Sequence, residues 1–204
     1  MKPIEAAPGA LLYPGYLPPE RQQAVLAAVR GVIAEAPLFA PTMPRTGKPF
    51  SVRMTNCGAL GWASDAAGYR YQDRHPETGE RWPPIPEAIA AVWAELLPEA
   101  PAPEACLINY YASGAKMGLH QDRDERALDV AVLSISLGDE ARFRVGATTR
   151  NGPTRGFPLR SGDVFTFGGE SRLAFHGVDR VLTGTSALLA EGGRFNLTLR
   201  RVNA

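Results

Sequence analysis

Val130-Ala131-Val132-Leu133-Ser134-Ile135-Ser136-Leu137 is an uncharged aliphatic run that reads as a buried strand. Toward the C-terminus the pattern repeats in short pieces: Arg142 to Val145, then Asp163-Val164-Phe165-Thr166-Phe167. Leu173-Ala174-Phe175-His176-Gly177 reads as a further strand, ending in a glycine. In Arg194-Phe195-Asn196-Leu197-Thr198-Leu199-Arg200, three apolar residues alternate strictly with four polar ones, so a strand here presents Arg194, Asn196, Thr198 and Arg200 on one face. From about residue 105 onward the chain is nearly all short strands with Gly-rich connections and no intervening helix. That pattern predicts a sandwich or jelly roll.

Chemistry-bearing residues fall on these strands. His120-Gln121-Asp122 places an imidazole and a carboxylate two positions apart, on the same side of an extended backbone. The chain has three histidines, and His176 closes the apolar run above. Two histidines and one carboxylate on one face suit non-haem Fe(II), with positions left open for a co-substrate and oxygen. Zinc more usually takes a closed site, or three ligands plus water. The polar face of residues 194 to 200 reads either as an exposed strand face or as a polar interior that holds an anion, because arginine forks match carboxylates. Arg194 and Arg200 lie about 20 Å apart on an extended strand, with Asn196 between them. Asn109 and Tyr111 are two apart and share a face.

The first half is different. Pro18-Pro19 introduces a helical pattern with Val25, Leu26, Val29, Val32 and Ile33 at helical spacing, ending near Pro37. A second helix is expected from about Glu87 to Leu97, with Trp93 on its apolar face and so in the core. Between them, residues 37 to 84 lack sustained periodicity and are rich in proline and glycine, which points to a substrate lid. This segment carries Trp62, Tyr69 and Tyr71, while His75 reads as a turn residue outside any metal site.

At 204 residues and 45% hydrophobic composition, the chain suits one globular domain. It holds no apolar run of membrane-spanning length, and Met1-Lys2-Pro3-Ile4-Glu5 lacks the apolar core of a secretory signal. Cys57 and Cys106 form no C-x-x-C pair and are expected to stay reduced in a cytoplasmic protein. A net charge of +1 does not announce a nucleic-acid binder, but its distribution is uneven. Five arginines and no acid lie between Ala141 and Gly162, and Arg45, Lys48 and Arg53 lie without an acid between Ala36 and Ser64. Such stretches can track a phosphate backbone or stand as solvated loops.

Taken together, Met54-Thr55-Asn56-Cys57-Gly58, Leu60-Gly61-Trp62, Leu107-Ile108-Asn109, Gly114-Ala115-Lys116, His120-Gln121-Asp122, Gly168-Gly169-Glu170-Ser171-Arg172, His176-Gly177 and Arg194 to Arg200 resemble the AlkB family of Fe(II)- and 2-oxoglutarate-dependent dioxygenases, in order and over most of the chain. The resemblance implies a mainly β chain with supporting helices: a double-stranded β-helix over about residues 101–204, and helices with a nucleotide-recognition lid over about residues 1–100, in a single domain. It implies oxidative dealkylation of bases such as 1-methyladenine and 3-methylcytosine in single- or double-stranded DNA, with RNA a candidate. Succinate, CO2 and formaldehyde are the products. It implies Fe(II) on His120, Asp122 and His176. 2-Oxoglutarate meets Arg194 or Arg200, with Asn109, Tyr111 and Asn196, and O2 is the second co-substrate. Trp62 and Tyr69 are implied to take the nucleotide, Asp124 the exocyclic amine, and Arg150 a place near the nucleotide.

Two positions depart from the family pattern, Tyr110 in place of an arginine and Phe167 in place of a tryptophan; strand alternation points both away from the ligands. A monomer with no membrane contact is expected. Two other functions share this sequence: a 2-oxoglutarate hydroxylase of a small molecule or protein side chain, and a non-catalytic module that binds alkylation lesions.

Overall fold

A computed structural model describes residues 2–204 of the chain. It opens with strands β1 (Ile4–Ala7) and β2 (Ala10–Tyr13), then helix α1 (Pro19–Glu35). Next come β3 (Arg53–Gly58), β4 (Gly61–Asp65) and β5 (Gly68–Gln72), then helix α2 (Glu87–Leu96). The remainder is β6 (Ala105–Tyr111), β7 (Met117–His120), β8 (Val132–Gly138), β9 (Glu140–Gly146), β10 (Thr154–Leu159), β11 (Val164–Phe167), β12 (His176–Leu182) and β13 (Arg194–Arg200). A seven-stranded sheet runs β1-β2-β11-β8-β13-β6-β3, facing a four-stranded sheet β10-β9-β12-β7; β4 and β5 form a separate hairpin.

The alternation in β13 explains the layering. Phe195, Leu197 and Leu199 join Ile108, Leu133, Ile135 and Leu137 on the outer face of the large sheet. There they pack on Val25, Leu26 and Val29 of α1 and on Ile89, Val92 and Trp93 of α2. The other face looks into the sandwich, where Phe143, Val145 and Val178 of the small sheet meet Leu107, Phe165 and Phe167. Every residue of β8 is buried because the strand is covered on both sides, which accounts for its uncharged sequence.

Several expectations shift in detail. The run from Val130 enters the sheet only at Val132. His176 begins a strand and does not end one, since Leu173 to Phe175 lie outside it. Three strands of the large sheet, β1, β2 and β3, precede residue 100, so the sheet does not divide where the sequence changes character. Residues 37–84 hold regular structure despite their lack of periodicity: β3 pairs with β6 along its whole length, and β4 with β5. The pattern of β3 misleads because it buries polar groups that have partners, with Thr55 Oγ1 donating to the Ala36 carbonyl at 2.7 Å. His75 does organise a turn, its Nδ1 accepting from the backbone N–H groups of Glu77 and Thr78 and its Nε2 lying 2.7 Å from the Pro37 carbonyl. Among the described residues no helix is long and apolar enough to cross a membrane.

Gly177 sits where β12 passes close to β7. A Cβ built there would stand 2.6 Å from the Met117 carbonyl oxygen, a backbone atom that cannot turn aside. Gly177→Ala is therefore expected to lower stability by about 1–3 kcal/mol, the usual range for overpacking, and to separate His120 from His176. Urea unfolding together with Co(II) titration of the apo protein checks both effects.

Candidate active site

Antiparallel pairing of β7 and β12 sets His120 directly opposite His176, with ring centroids 4.4 Å apart. Beyond the end of β7, Gln121 turns away and its amide donates to the Leu173 carbonyl at 2.7 Å. Asp122 thereby turns back toward the two rings. Its oxygens lie 3.9 Å from His120 Nε2 and 3.8 Å from His176 Nε2. One ligating atom from each of the three lies within 4.8 Å of the others.

The tautomers suit a cation. His120 Nδ1 is 2.9 Å from the Gly118 carbonyl and His176 Nδ1 is 3.0 Å from the Ala174 carbonyl. A carbonyl only accepts, so each Nδ1 carries a proton and each Nε2 is left facing Asp122. Burial first, then the neighbouring His120, draws His176 down to about 4, which leaves it neutral near pH 7. Burial alone would push the Asp122 carboxyl up; Arg200 foremost holds it well below the usual carboxylate range. Two imidazoles and a carboxylate anion, open on one side to a cavity of about 500 Å³, can hold one divalent ion with positions to spare.

The cavity is lined by every residue to which the resemblance gives a site role except Arg194. Asn109, Tyr111, Asn196 and Arg200 form part of its inner wall. Burial pushes the Tyr111 phenol up to about 12, so it remains a donor. Arg194 lies behind this wall, fully buried, donating to Ser136 Oγ at 2.8 Å and to the Asp139 and Leu159 carbonyls. Among the described residues no carboxylate forms an ion pair with it. Among the described residues Arg194 Nε and Arg200 Nη1 are buried donors without a partner, and they suit an anion with carboxylate oxygens.

The β4–β5 hairpin brings Trp62 and Tyr69 to the same cavity. Trp62 donates its indole N–H to Asp124 Oδ2 at 2.9 Å and stacks on Tyr69 with centroids 5.6 Å apart. Arg150 reaches the rim over the Phe175 ring, 5.9 Å from its centroid. Of the other basic residues in that stretch, Arg144 and Arg160 are paired with Asp179 and Glu140. Tyr110 faces the helices as expected, 5.0 Å from Phe195. Phe167 does not point away from the ligands: its ring lies 4.6 Å from His176, because β11 looks across the sandwich at β12.

Four contributors were assigned no role from the sequence. Asn56 clamps the Trp62 backbone, accepting from its N–H at 3.0 Å and donating to its carbonyl at 3.1 Å. Tyr71, Glu125 and Arg172 meet beside Asp122. Arg172 lies in a quoted segment of the resemblance, but its role depends on contacts 47 and 50 residues away in sequence.

Asp122→Ala removes the anion of the triad while Arg200 keeps Glu125. The variant is expected to fold, less stable by up to about 3 kcal/mol, and to retain no stoichiometric metal after anaerobic reconstitution, as read by elemental analysis.

Comparisons with known proteins agree with this geometry. Residues 9–200 match the 2OG-Fe(II) oxygenase superfamily. The chain is 54% identical to the alpha-ketoglutarate-dependent dioxygenase AlkB homolog of Caulobacter vibrioides, covering 98% of this chain and 90% of that protein. It is 42% identical to alpha-ketoglutarate-dependent dioxygenase AlkB of Salmonella typhimurium, over 84% and 81% of the two chains. The solved structure of OsALKBH1 superposes with a TM-score of 0.84 at 30% identity, covering 98% of this chain and all of that one. With Fe(II), 2-oxoglutarate and O2 as the chemistry its cavity serves, the chain belongs to the AlkB family of 2-oxoglutarate-dependent dioxygenases.

Proposed function

We propose that this enzyme removes small alkyl groups from the pairing edge of nucleobases such as 1-methyladenine and 3-methylcytosine, in single- or double-stranded DNA and also in RNA. One observation carries the reading: the His120-Asp122-His176 triad and the Trp62–Asp124 pair line the same cavity, so a flat ring against Trp62 can present its alkyl group to the metal. The balanced reaction takes the methylated base, 2-oxoglutarate and O2 to the free base, formaldehyde, succinate and CO2.

On this reading His120, Asp122 and His176 hold Fe(II), which supplies the oxidation of the alkyl carbon coupled to co-substrate decarboxylation. The inner wall binds 2-oxoglutarate through an Arg200 N–H, the Tyr111 phenol and the Asn109 and Asn196 side chains, with Arg194 Nε free behind the wall. Asp124 accepts from the exocyclic amine and favours a cationic base, whose charge also gains from the Trp62 face. Tyr69 and Arg150, at the rim, hold the flanking nucleotide. A base reaches this cavity only when unpaired or flipped, which costs least for a lesion that already pairs badly. The enzyme then acts as a cytoplasmic monomer on damaged nucleic acid, without a membrane.

A 1-methyladenine oligonucleotide incubated with Fe(II), 2-oxoglutarate and O2 is expected to yield formaldehyde and succinate in equal amounts, and an unmodified control little of either. Succinate that ignores the lesion would move the substrate to a small molecule or protein side chain. Lesion binding without either product would leave a binding module. Trp62→Ala is expected to raise KM for the oligonucleotide by about ten- to a hundredfold, the value of one base stack, with KM for 2-oxoglutarate unchanged in steady-state kinetics.

A further inference from the structure

The Tyr71 hydroxyl donates to Glu125 Oε1 at 2.5 Å. Arg172 Nη2 meets the other oxygen at 3.1 Å, and Arg200 Nε lies 3.3 Å from Oε1. The side chains of Glu125, Arg172 and Arg200 are 2%, 4% and 6% exposed, so this carboxylate is enclosed by donors from three separate parts of the chain. Both arginines also grip Asp122. Arg200 Nη2 is 2.8 Å from Asp122 Oδ2, and Arg172 Nη1 donates to the Asp122 backbone carbonyl at 2.6 Å. On the other side, Tyr71 is the direct cross-strand partner of Trp62.

We propose that Glu125 is a positioning residue that makes the nucleobase-recognition hairpin and the Asp122 carboxylate one rigid unit, with Tyr71 as the tie to the hairpin and Arg172 and Arg200 as the ties to Asp122. This rests on the dealkylase reading above. A buried carboxylate is costly unless fully paired, and Glu125 is paired through groups that lead to the two places whose separation decides where an alkyl carbon stands. Asn56 fixes the backbone of Trp62 to the large sheet, but Tyr71 alone among the described hairpin residues hydrogen-bonds to Glu125. Small errors in placing a reacting carbon cost rate steeply. Here they appear as co-substrate consumed without dealkylation.

Two variants separate the two arms. Tyr71→Phe keeps the ring and loses the tie, leaving Glu125 with both arginines. The ratio of formaldehyde to succinate on a 1-methyladenine oligonucleotide is expected to fall at least twofold below wild type, with KM for 2-oxoglutarate unchanged. Amide exchange is expected to quicken in β4 and β5 and to hold in β6 and β13. A merely structural role lowers both products together and leaves the ratio alone. Glu125→Gln keeps an oxygen for Tyr71 but removes the charge between the two arginines, which then draw on Asp122 alone; Co(II) affinity of the apo protein, read by visible absorption, is expected to fall about tenfold. Wild-type protein that makes no lesion-dependent formaldehyde overturns the dealkylase reading itself. Active wild type with an unchanged ratio in Tyr71→Phe overturns the hairpin tie, and unchanged Co(II) affinity in Glu125→Gln overturns the tie to Asp122.

Discussion

Arg200, buried at the end of β13, holds Asp122 Oδ2 at 2.8 Å and Glu125 Oε1 at 3.3 Å. An ionised carboxylate so far from water is tolerated only beside an opposite charge. Without Arg200, burial would drive Asp122 toward its protonated form, and a protonated carboxyl is a poor ligand for a divalent cation. With Arg172 added, two carboxylates balance two guanidinium groups within the wall of the cavity. An apolar cluster of the same volume would often be at least as stable. What the charged cluster supplies is an anion at a fixed place.

The large sheet makes that place possible by having two different faces. β13 lies between β6 and β8, so its inward residues are flanked on both sides: Asn196 by Asn109 and Ser136, Thr198 by Leu107 and Ser134. A polar strip inside a protein needs partners at each position, and neighbouring strands provide them, as when Asn196 donates to Ser134 Oγ at 2.7 Å. The outward residues meanwhile bury their side chains against α1 and α2. The helices thus take no part in the chemistry, yet they supply the apolar contact that allows the inner face to be polar.

The sequence is most legible where one residue type at one spacing has one physical meaning. Strict alternation in residues 194 to 200 told of a two-faced strand, and His-x-Asp told of two groups turned to one side; both patterns are local. β3 and the β4–β5 hairpin were hidden because their logic is not local. Asn56 looks like a loop residue until its amide is seen gripping the backbone of Trp62, and Glu125 looks like part of a solvated charged run until Tyr71, Arg172 and Arg200 close around it. Phe167 falls on the unexpected face for a related reason. Alternation says which residues share a side, but only the packing of β11 across from β12 says which side is the inside.

Selectivity on the proposed reading comes from two separate terms. Asp124 spends one oxygen on the Trp62 indole N–H, which fixes the carboxylate and leaves the other oxygen's lone pairs available. A base methylated at its pairing edge is cationic near neutral pH, so the carboxylate and the electron-rich indole face both gain from its charge. A neutral, unmodified base gains from neither, and it must also give up good pairing and stacking before it can enter. The first term belongs to the cavity and the second to the nucleic acid, and because free energies add, their discrimination factors multiply. Tying Trp62, Asp124 and Asp122 through contiguous hydrogen bonds and ion pairs makes the first term coincide with correct aim: a base that satisfies the recognition pair is thereby set at a fixed distance from the triad.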